Sequence, residues 1–137
     1  MAAILVVDDD PAVRAIATEM LATDGHAIVE AVDGVEALAL AAHLPIDLVI
    51  VDMLMPKMDG LETIAALRAA KSGCSIIAIS SGGLLNAGGL LRMALAAGAD
   101  ASLEKPLRLA TLRETIGSLL ECGSRSPHLA IGRCAEG

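Results

Sequence analysis

The sequence predicts an α/β fold in which five strands alternate with five helices around a parallel sheet. Three observations carry this. Ile46 to Gly60 reads IDLVIVDMLMPKMDG, and Leu48 to Val51 is apolar at every position, the mark of a strand covered on both faces. Ile4 to Pro11 reads ILVVDDDP, a second such run, and it ends in three carboxylates. Stretches with helical spacing separate the apolar runs, and strand–helix–strand alternation demands right-handed crossovers between parallel strands.

The elements follow in order. Ala3 to Val7 is the first strand, and Asp10-Pro11 is a helix start with Asp as N-cap and Pro at the first helical position. Val13, Ile16, Ala17, Met20 and Leu21 then recur at helical spacing, and Gly25 ends the helix. His26 to Ala31 is a second, more polar strand, which suits a sheet edge. Asp33-Gly34 opens a helix carrying Val35, Leu38 and Ala42. After the central strand, Asp59-Gly60 starts a third helix, Asp59 reading as its cap, with Leu61, Ile64 and Ala65 on the inner face. Ser75 to Ser80 is a fourth strand that ends at a hydroxyl. The segment GGLLNAGG, residues 82 to 89, has four glycines that weaken any helix start there, so the fourth helix is expected from Leu90 to Ala97, stopped by Gly98. Ala101 to Leu103 is the fifth strand, and Leu109, Leu112, Ile116 and Leu119 mark the fifth helix. Residues 1–121 thus form one domain. Over 122–137 periodicity stops, and a mobile tail is expected.

Composition narrows the function classes. A length of 137 residues suits one domain with a full core and is short for two. Hydrophobic residues make up 55% of the chain, but their runs are too short to cross a bilayer, and no basic leader precedes the first strand. A cytoplasmic location with no membrane partner is expected. The net charge of −7 argues against direct nucleic-acid binding, which rests on phosphate neutralisation by Lys and Arg. Cys74, Cys122 and Cys134 are odd in number and widely spaced, which favours free thiols. His26, His43 and His128 are scattered and read as no ligand set. Phe, Tyr and Trp are all absent, so Leu, Ile, Val, Met and Ala must fill the core.

Asp52 stands at the carboxyl end of the central strand, the edge at which open α/β sheets leave a crevice for ligands. Taken alone, an Asp there reads more readily as a turn former. Two further stretches shift the balance: the carboxylates after the first strand, and ASLEKP, residues 101 to 106, a short strand ending in Lys105. With Asp8, Asp9, Asp52 and Lys105 each at a strand end, the chain resembles the response regulator receiver domain of two-component signalling from about residue 3 to 120. The resemblance implies the flavodoxin-like strand order 2-1-3-4-5 and a phosphoacceptor at Asp52. It also implies Mg²⁺ held directly by Asp9, Asp52 and the backbone carbonyl of Leu54, and by Asp8 through water.

The chemistry suits those residues. An aspartate is already ionised at neutral pH and attacks a phosphoryl group without a general base. Crowded carboxylates, however, repel an incoming phosphoryl group unless a hard, oxygen-seeking cation lies among them, and Mg²⁺ is such a cation. Lys105 and the Ser80 hydroxyl would offset charge on the transferring group. A solvated strand-end lysine and a turn-capping serine are the plainer alternatives for these two. Ser102 stands where receivers usually carry an aromatic, and Leu107 where another often follows Lys-Pro, so the usual readout is in question while phosphoacceptance is not.

Three rival readings fit parts of the pattern. A haloacid-dehalogenase-like phosphatase needs a second acid two residues after its nucleophile, where this chain has Leu54. A flavodoxin needs an anion cradle and aromatics where this chain has three aspartates and none. The third rival is a receiver fold that binds protein without being phosphorylated. The resemblance favours a single-domain response regulator, not an enzyme acting on a separate substrate. Its phosphodonor would be a histidine kinase or histidine phosphotransfer protein, and its downstream target an unknown protein met near the fourth helix, fifth strand and fifth helix.

Overall fold

The computed structural model describes residues 2–53, 60–70, 73–81, 87–105 and 107–123, with the backbone alone for 80–81, 87–91, 105 and 121–123. The elements are β1 (Ala3–Val7), α1 (Pro11–Thr23), β2 (Ala27–Ala31), α2 (Gly34–His43), β3 (Leu48–Asp52), α3 (Gly60–Ala70), β4 (Ser75–Ser81), α4 (Ala87–Ala97), β5 (Ala101–Lys105) and α5 (Leu109–Gly123). All strand pairs are parallel, in the order β2-β1-β3-β4-β5. The strand order and the α/β class are therefore as expected, with the polar strand β2 at an edge.

Period-two alternation splits the core into two layers. Leu5, Val7, Val49, Val51, Ile76 and Ala78 face α2, α3 and α4, where Ala37, Ala41, Ile64, Leu67 and Ala94 meet them. Ile4, Val6, Leu48, Ile50, Ile77 and Ile79 face α1 and α5 and pack on Ala17, Leu21, Leu112 and Ile116. β3 is buried at all five positions, as its unbroken apolar run demanded. With no aromatic ring available, small alanines bring the helices close and branched aliphatics interdigitate to fill the layers.

Helix signals behave as their chemistry dictates. Asp10 caps α1 by accepting from the Ala12 amide at 2.9 Å, and Pro11 occupies the first turn. Asp33 caps α2 by accepting from the Glu36 amide at 2.8 Å, and the Glu36 carboxylate accepts from the amide of Val32, one residue before the cap. Gly25 follows the α1 C-cap with φ +86°, a conformation that favours glycine.

Several expectations need correction. Ile16 and Val35 are more than half exposed, and Ala42 and Ala65 also face solvent. In their place Ala37 and Ala41 pack inward on α2, and Thr63 and Leu67 on α3. These helices are apolar on several faces, so side-chain spacing alone does not say which face meets the sheet. β5 runs two residues beyond Leu103 to Lys105. α4 begins at Ala87 and runs through Gly88 and Gly89, so packing overrides their low helix propensity. α5 reaches Gly123, just past the end of its periodicity. The Asp59 cap, the segment 82–86 and the tail from 124 onward lie outside the described residues. Among the described residues no helix is long and apolar enough to cross a membrane.

Candidate functional site

β1 and β3 are neighbours with Val7 opposite Val51, so the next residues, Asp8 and Asp52, emerge side by side at the carboxyl edge of the sheet. Asp8 continues the Ile4–Val6 series and Asp52 the Leu48–Ile50 series, which places both on one side of the sheet. Asp9 follows in the turn leading to α1. Carboxylate oxygens of Asp8, Asp9 and Asp52 all lie within 4.8 Å of one another. Asp8 and Asp52 are buried and Asp9 is exposed. The arrangement is a pair of buried carboxylates with a third, exposed one beside them.

The backbone around the cluster is held firmly. The Asp8 amide donates to the Ala31 carbonyl at 3.1 Å, and the Asp8 carboxylate accepts from the Asp10 amide at 2.9 Å. Just past Asp52, the Met53 amide donates to the Ile79 carbonyl at 2.8 Å, and the Gly60 amide donates to the Met53 carbonyl at 3.1 Å. The chain after Asp52 is thus pinned to β4 and to the start of α3. A pinned backbone fixes where the Asp52 side chain starts, which is what a site for a small, highly charged group needs.

The remaining predicted residues sit at the same edge. Ile79 is opposite Asp52, and Ser80 is the next residue along β4. Ser80 pairs with Glu104 and Ser81 with Lys105, the last residue of β5. The backbone therefore delivers Asp8, Asp9, Asp52, Ser80 and Lys105 to the carboxyl ends of four strands. Leu54, the expected carbonyl ligand, lies outside the described residues. His26 and His43 are engaged in backbone contacts away from this edge, with the Ala2 amide and the Ala39 carbonyl. Cys74 is buried and outside any disulfide.

Sequence reasoning passed over two residues. Arg14, one turn into α1, donates from Nη1 to the Asp8 carbonyl at 2.7 Å, and its Nε pairs with Glu30 of β2 at 3.1 Å. Gly60 was read only as a helix start, yet it lies against the backbone of Asp52 and Met53. A charged residue in the polar edge strand was the available signal for Glu30. Nothing in the local sequence signals the Gly60 approach, because the partner backbone belongs to the end of β3 and the residue after it.

The donor set suits a hard cation: three carboxylates, two of them buried, with no sulfur or imidazole among them. Carboxylates this close repel one another and an oxygen-seeking cation relieves that repulsion, so the fit to a small divalent ion such as Mg²⁺ is chemical as well as geometric.

Residues 4–117 match the Response regulator receiver domain family. Among similar proteins, "Response regulator MprA" of Mycobacterium sp. (strain KMS) is 40% identical over 118 residues, covering 85% of this chain and 50% of the relative. The "DNA-binding dual master transcriptional regulator RpaA" of Synechocystis is 32% identical over 133 residues, covering 95% of this chain and 54% of the relative. The chain thus spans about half the length of these relatives. Among solved structures, response regulator protein TrrA from Thermotoga maritima, in complex with Mg²⁺-BeF, superimposes with TM-score 0.76 at 34% identity, covering 87% of this chain and 99% of that one.

Proposed function

Because the chain belongs to the response regulator receiver domain family, we propose that it is a phosphorylation switch of two-component signalling in which Asp52 accepts a phosphoryl group. The observation that carries this reading is the convergence of the Asp8, Asp9 and Asp52 carboxylates within 4.8 Å at the carboxyl edge of the sheet. In the transfer, a carboxylate oxygen of Asp52 attacks phosphorus on a phosphohistidine. The O–P bond forms, the N–P bond breaks, and the imidazole nitrogen leaves with the electron pair. No proton need leave Asp52, because it attacks as the anion.

Asp9 and Asp52, with the Leu54 carbonyl, would hold Mg²⁺ directly and Asp8 through water; the ion would supply charge neutralisation for the attacking and transferring oxygens. The similar TrrA has been solved in complex with Mg²⁺-BeF, which supports a magnesium site in a chain of this kind. Lys105 would balance the phosphoryl oxygens from the end of β5 and Ser80 would donate a hydroxyl hydrogen bond from β4. Transfer is confined to the chain's own Asp52, so the protein turns over no separate substrate.

Receivers act with histidine kinases, and here the phosphodonor is a histidine kinase or a histidine phosphotransfer protein. The output is read by a protein partner. The side chains of Met93 and Leu95 on α4 are largely exposed, and Leu103, Glu104, Leu107, Arg108 and Thr111 line a pocket of about 200 Å³ beside β5 and α5. We read the chain as a single-domain regulator in the cytoplasm; coverage of 99% of the TrrA chain bears on the domain alone. The longer relatives, one of them DNA-binding, mark the other possible output, a nucleic-acid-binding module joined to the receiver. The net charge of −7 weighs against direct DNA binding by this chain itself.

The test is direct. Incubation with a small phosphodonor and Mg²⁺ should label the protein as an acid-stable, base-labile acyl phosphate, and Asp52→Asn should remove the label. Full labelling of the Asp52→Asn variant would move the acceptor elsewhere. No labelling of the unaltered chain would leave a protein-binding module of receiver fold.

A further inference from the structure

We propose that Arg14, itself held by Glu30, is a positioning residue for the divalent-cation site; the inference rests on the reading of Asp8, Asp9 and Asp52 as that site. Arg14 touches no carboxylate of the cluster. Its Nη1 donates to the Asp8 carbonyl oxygen at 2.7 Å. That carbonyl belongs to the peptide unit joining Asp8 to Asp9. Since a peptide unit is planar and stiff, holding its oxygen sets the plane from which the two neighbouring side chains leave in different directions.

The Asp8 residue is gripped on both of its peptide units. Its amide donates to the Ala31 carbonyl at 3.1 Å, and its own carbonyl is taken by Arg14. Both contacts lead to the end of β2, because Arg14 also pairs through Nε with Glu30 at 3.1 Å, and Glu30 accepts from the Thr18 hydroxyl at 3.2 Å. Thr18 and Arg14 are one turn apart on α1 and flank the same carboxylate. The Arg14 side chain is only 16% exposed, so it is packed into a single arrangement between α1 and the strand edge. Two different guanidinium nitrogens serve two partners, a geometry that an ammonium group does not reproduce.

The sign of the effect separates positioning from plain charge. Arg14 is a cation near a cation site, so electrostatics alone predicts that removing it tightens divalent binding. Positioning predicts the opposite. Outer partners of metal ligands typically change metal affinity by at least about 10-fold when lost.

The experiment is Mg²⁺ titration by calorimetry of the full chain and of Arg14→Met, which keeps an apolar stem of similar length. The expected result is affinity about 10-fold weaker, with Glu30→Ala shifted the same way and Glu30→Gln close to the unaltered chain, since its amide oxygen still accepts from Arg14 Nε. The Arg14→Met/Glu30→Ala double variant should be no weaker than Arg14→Met alone, because Glu30 acts through Arg14. If Arg14→Met does not fold, Glu30→Ala against Glu30→Gln decides the matter. Unchanged or tighter Mg²⁺ binding in Arg14→Met, or equal binding in the two Glu30 variants, overturns the inference and leaves the site reading intact. Failure of the unaltered chain to bind Mg²⁺ overturns both.

Discussion

Gly60 sits so close to Asp52 that a Cβ placed on it would lie 2.7 Å from the Asp52 carbonyl oxygen and 2.5 Å from the Met53 Cα. Both neighbours are backbone and cannot swing away, and the Gly60 amide already donates to the Met53 carbonyl. The first turn of α3 therefore rests directly on the chain leaving β3 at Asp52. Gly60→Ala should destabilise the fold by about 1–3 kcal/mol through overpacking and slow labelling at Asp52 as the strand end is displaced. Denaturant unfolding and the rate of acyl-phosphate formation measure the two effects; a variant with unaltered stability would show that the contact relaxes freely.

The acid cluster makes its own prediction for the metal-free protein. Asp8 and Asp52 are both buried, with oxygens no more than 4.8 Å apart. Neutralising one of them without loss of shape should relieve repulsion on the order of 1–3 kcal/mol at an effective dielectric between protein and water. Asp52→Asn should accordingly melt higher than the unaltered chain in EDTA. Saturating Mg²⁺ should narrow or reverse that difference, because only the intact cluster gains stability by mass action on the folded state. Asp9→Ala should lose most of the Mg²⁺-dependent rise in melting temperature.

Arg68 offers a control at the opposite end of the sheet. It donates to the Cys74 carbonyl at 2.7 Å, to the Gly98 carbonyl at 2.7 Å and to the Asp100 carboxylate at 2.8 Å. Asp100 in turn accepts from the Ile76 amide. One guanidinium thus ties α3 to the entry of β4 and to the α4–β5 turn. Arg68→Ala should cost about 2 kcal/mol, the scale for charged hydrogen bonds lost from partly buried carbonyls. Mg²⁺ affinity should not change, because the cluster lies at the other edge. Thermal unfolding and calorimetry on the same sample separate these outcomes.

Much of this architecture was legible in the sequence, and the exceptions share a cause. β1, β3 and β4 announced themselves as unbroken β-branched runs, and the three aspartates were legible because each ends or follows such a run. Asp10, Pro11 and Asp33 marked helix starts through local chemistry that needs no tertiary context. Helix faces were harder. Apolar spacing points to Ile16 and Val35 as core residues, but in alanine-rich helices the sheet is met by the small Ala17, Ala37 and Ala41, which permit close approach. Arg14 and Gly60 were invisible as site residues for a related reason. Their partners, Glu30 and the Asp52 backbone, are contacts across sequence that exist only once the sheet has formed.

The last prediction concerns acid stability and rests on Arg113 and Asp24. Arg113 on α5 grips the Asp24 carboxylate at the end of α1 with two nitrogens, Nη2 at 2.7 Å and Nε at 2.8 Å. Hydrogen bonding from Arg113 is the main cause that lowers the Asp24 pKa below its ordinary 3.8, and the same contact raises that of Arg113. A carboxyl whose folded pKa is depressed contributes stability that is full above its unfolded pKa and is lost as pH falls through the folded one. The Arg113–Asp24 pair should therefore help hold α1 to α5 at neutral pH and cease to do so in strong acid, below the usual carboxylate range. Arg113→Met should melt lower than the unaltered chain at neutral pH, with the gap closing as pH falls below 3.8. Because Arg113 is half-exposed and Asp24 partly so, the gap should be small and should also shrink in high salt. Melting curves across pH at two ionic strengths provide the check. A gap that persists in strong acid would assign the effect of Arg113 to packing of its stem against α1 instead of to its charge.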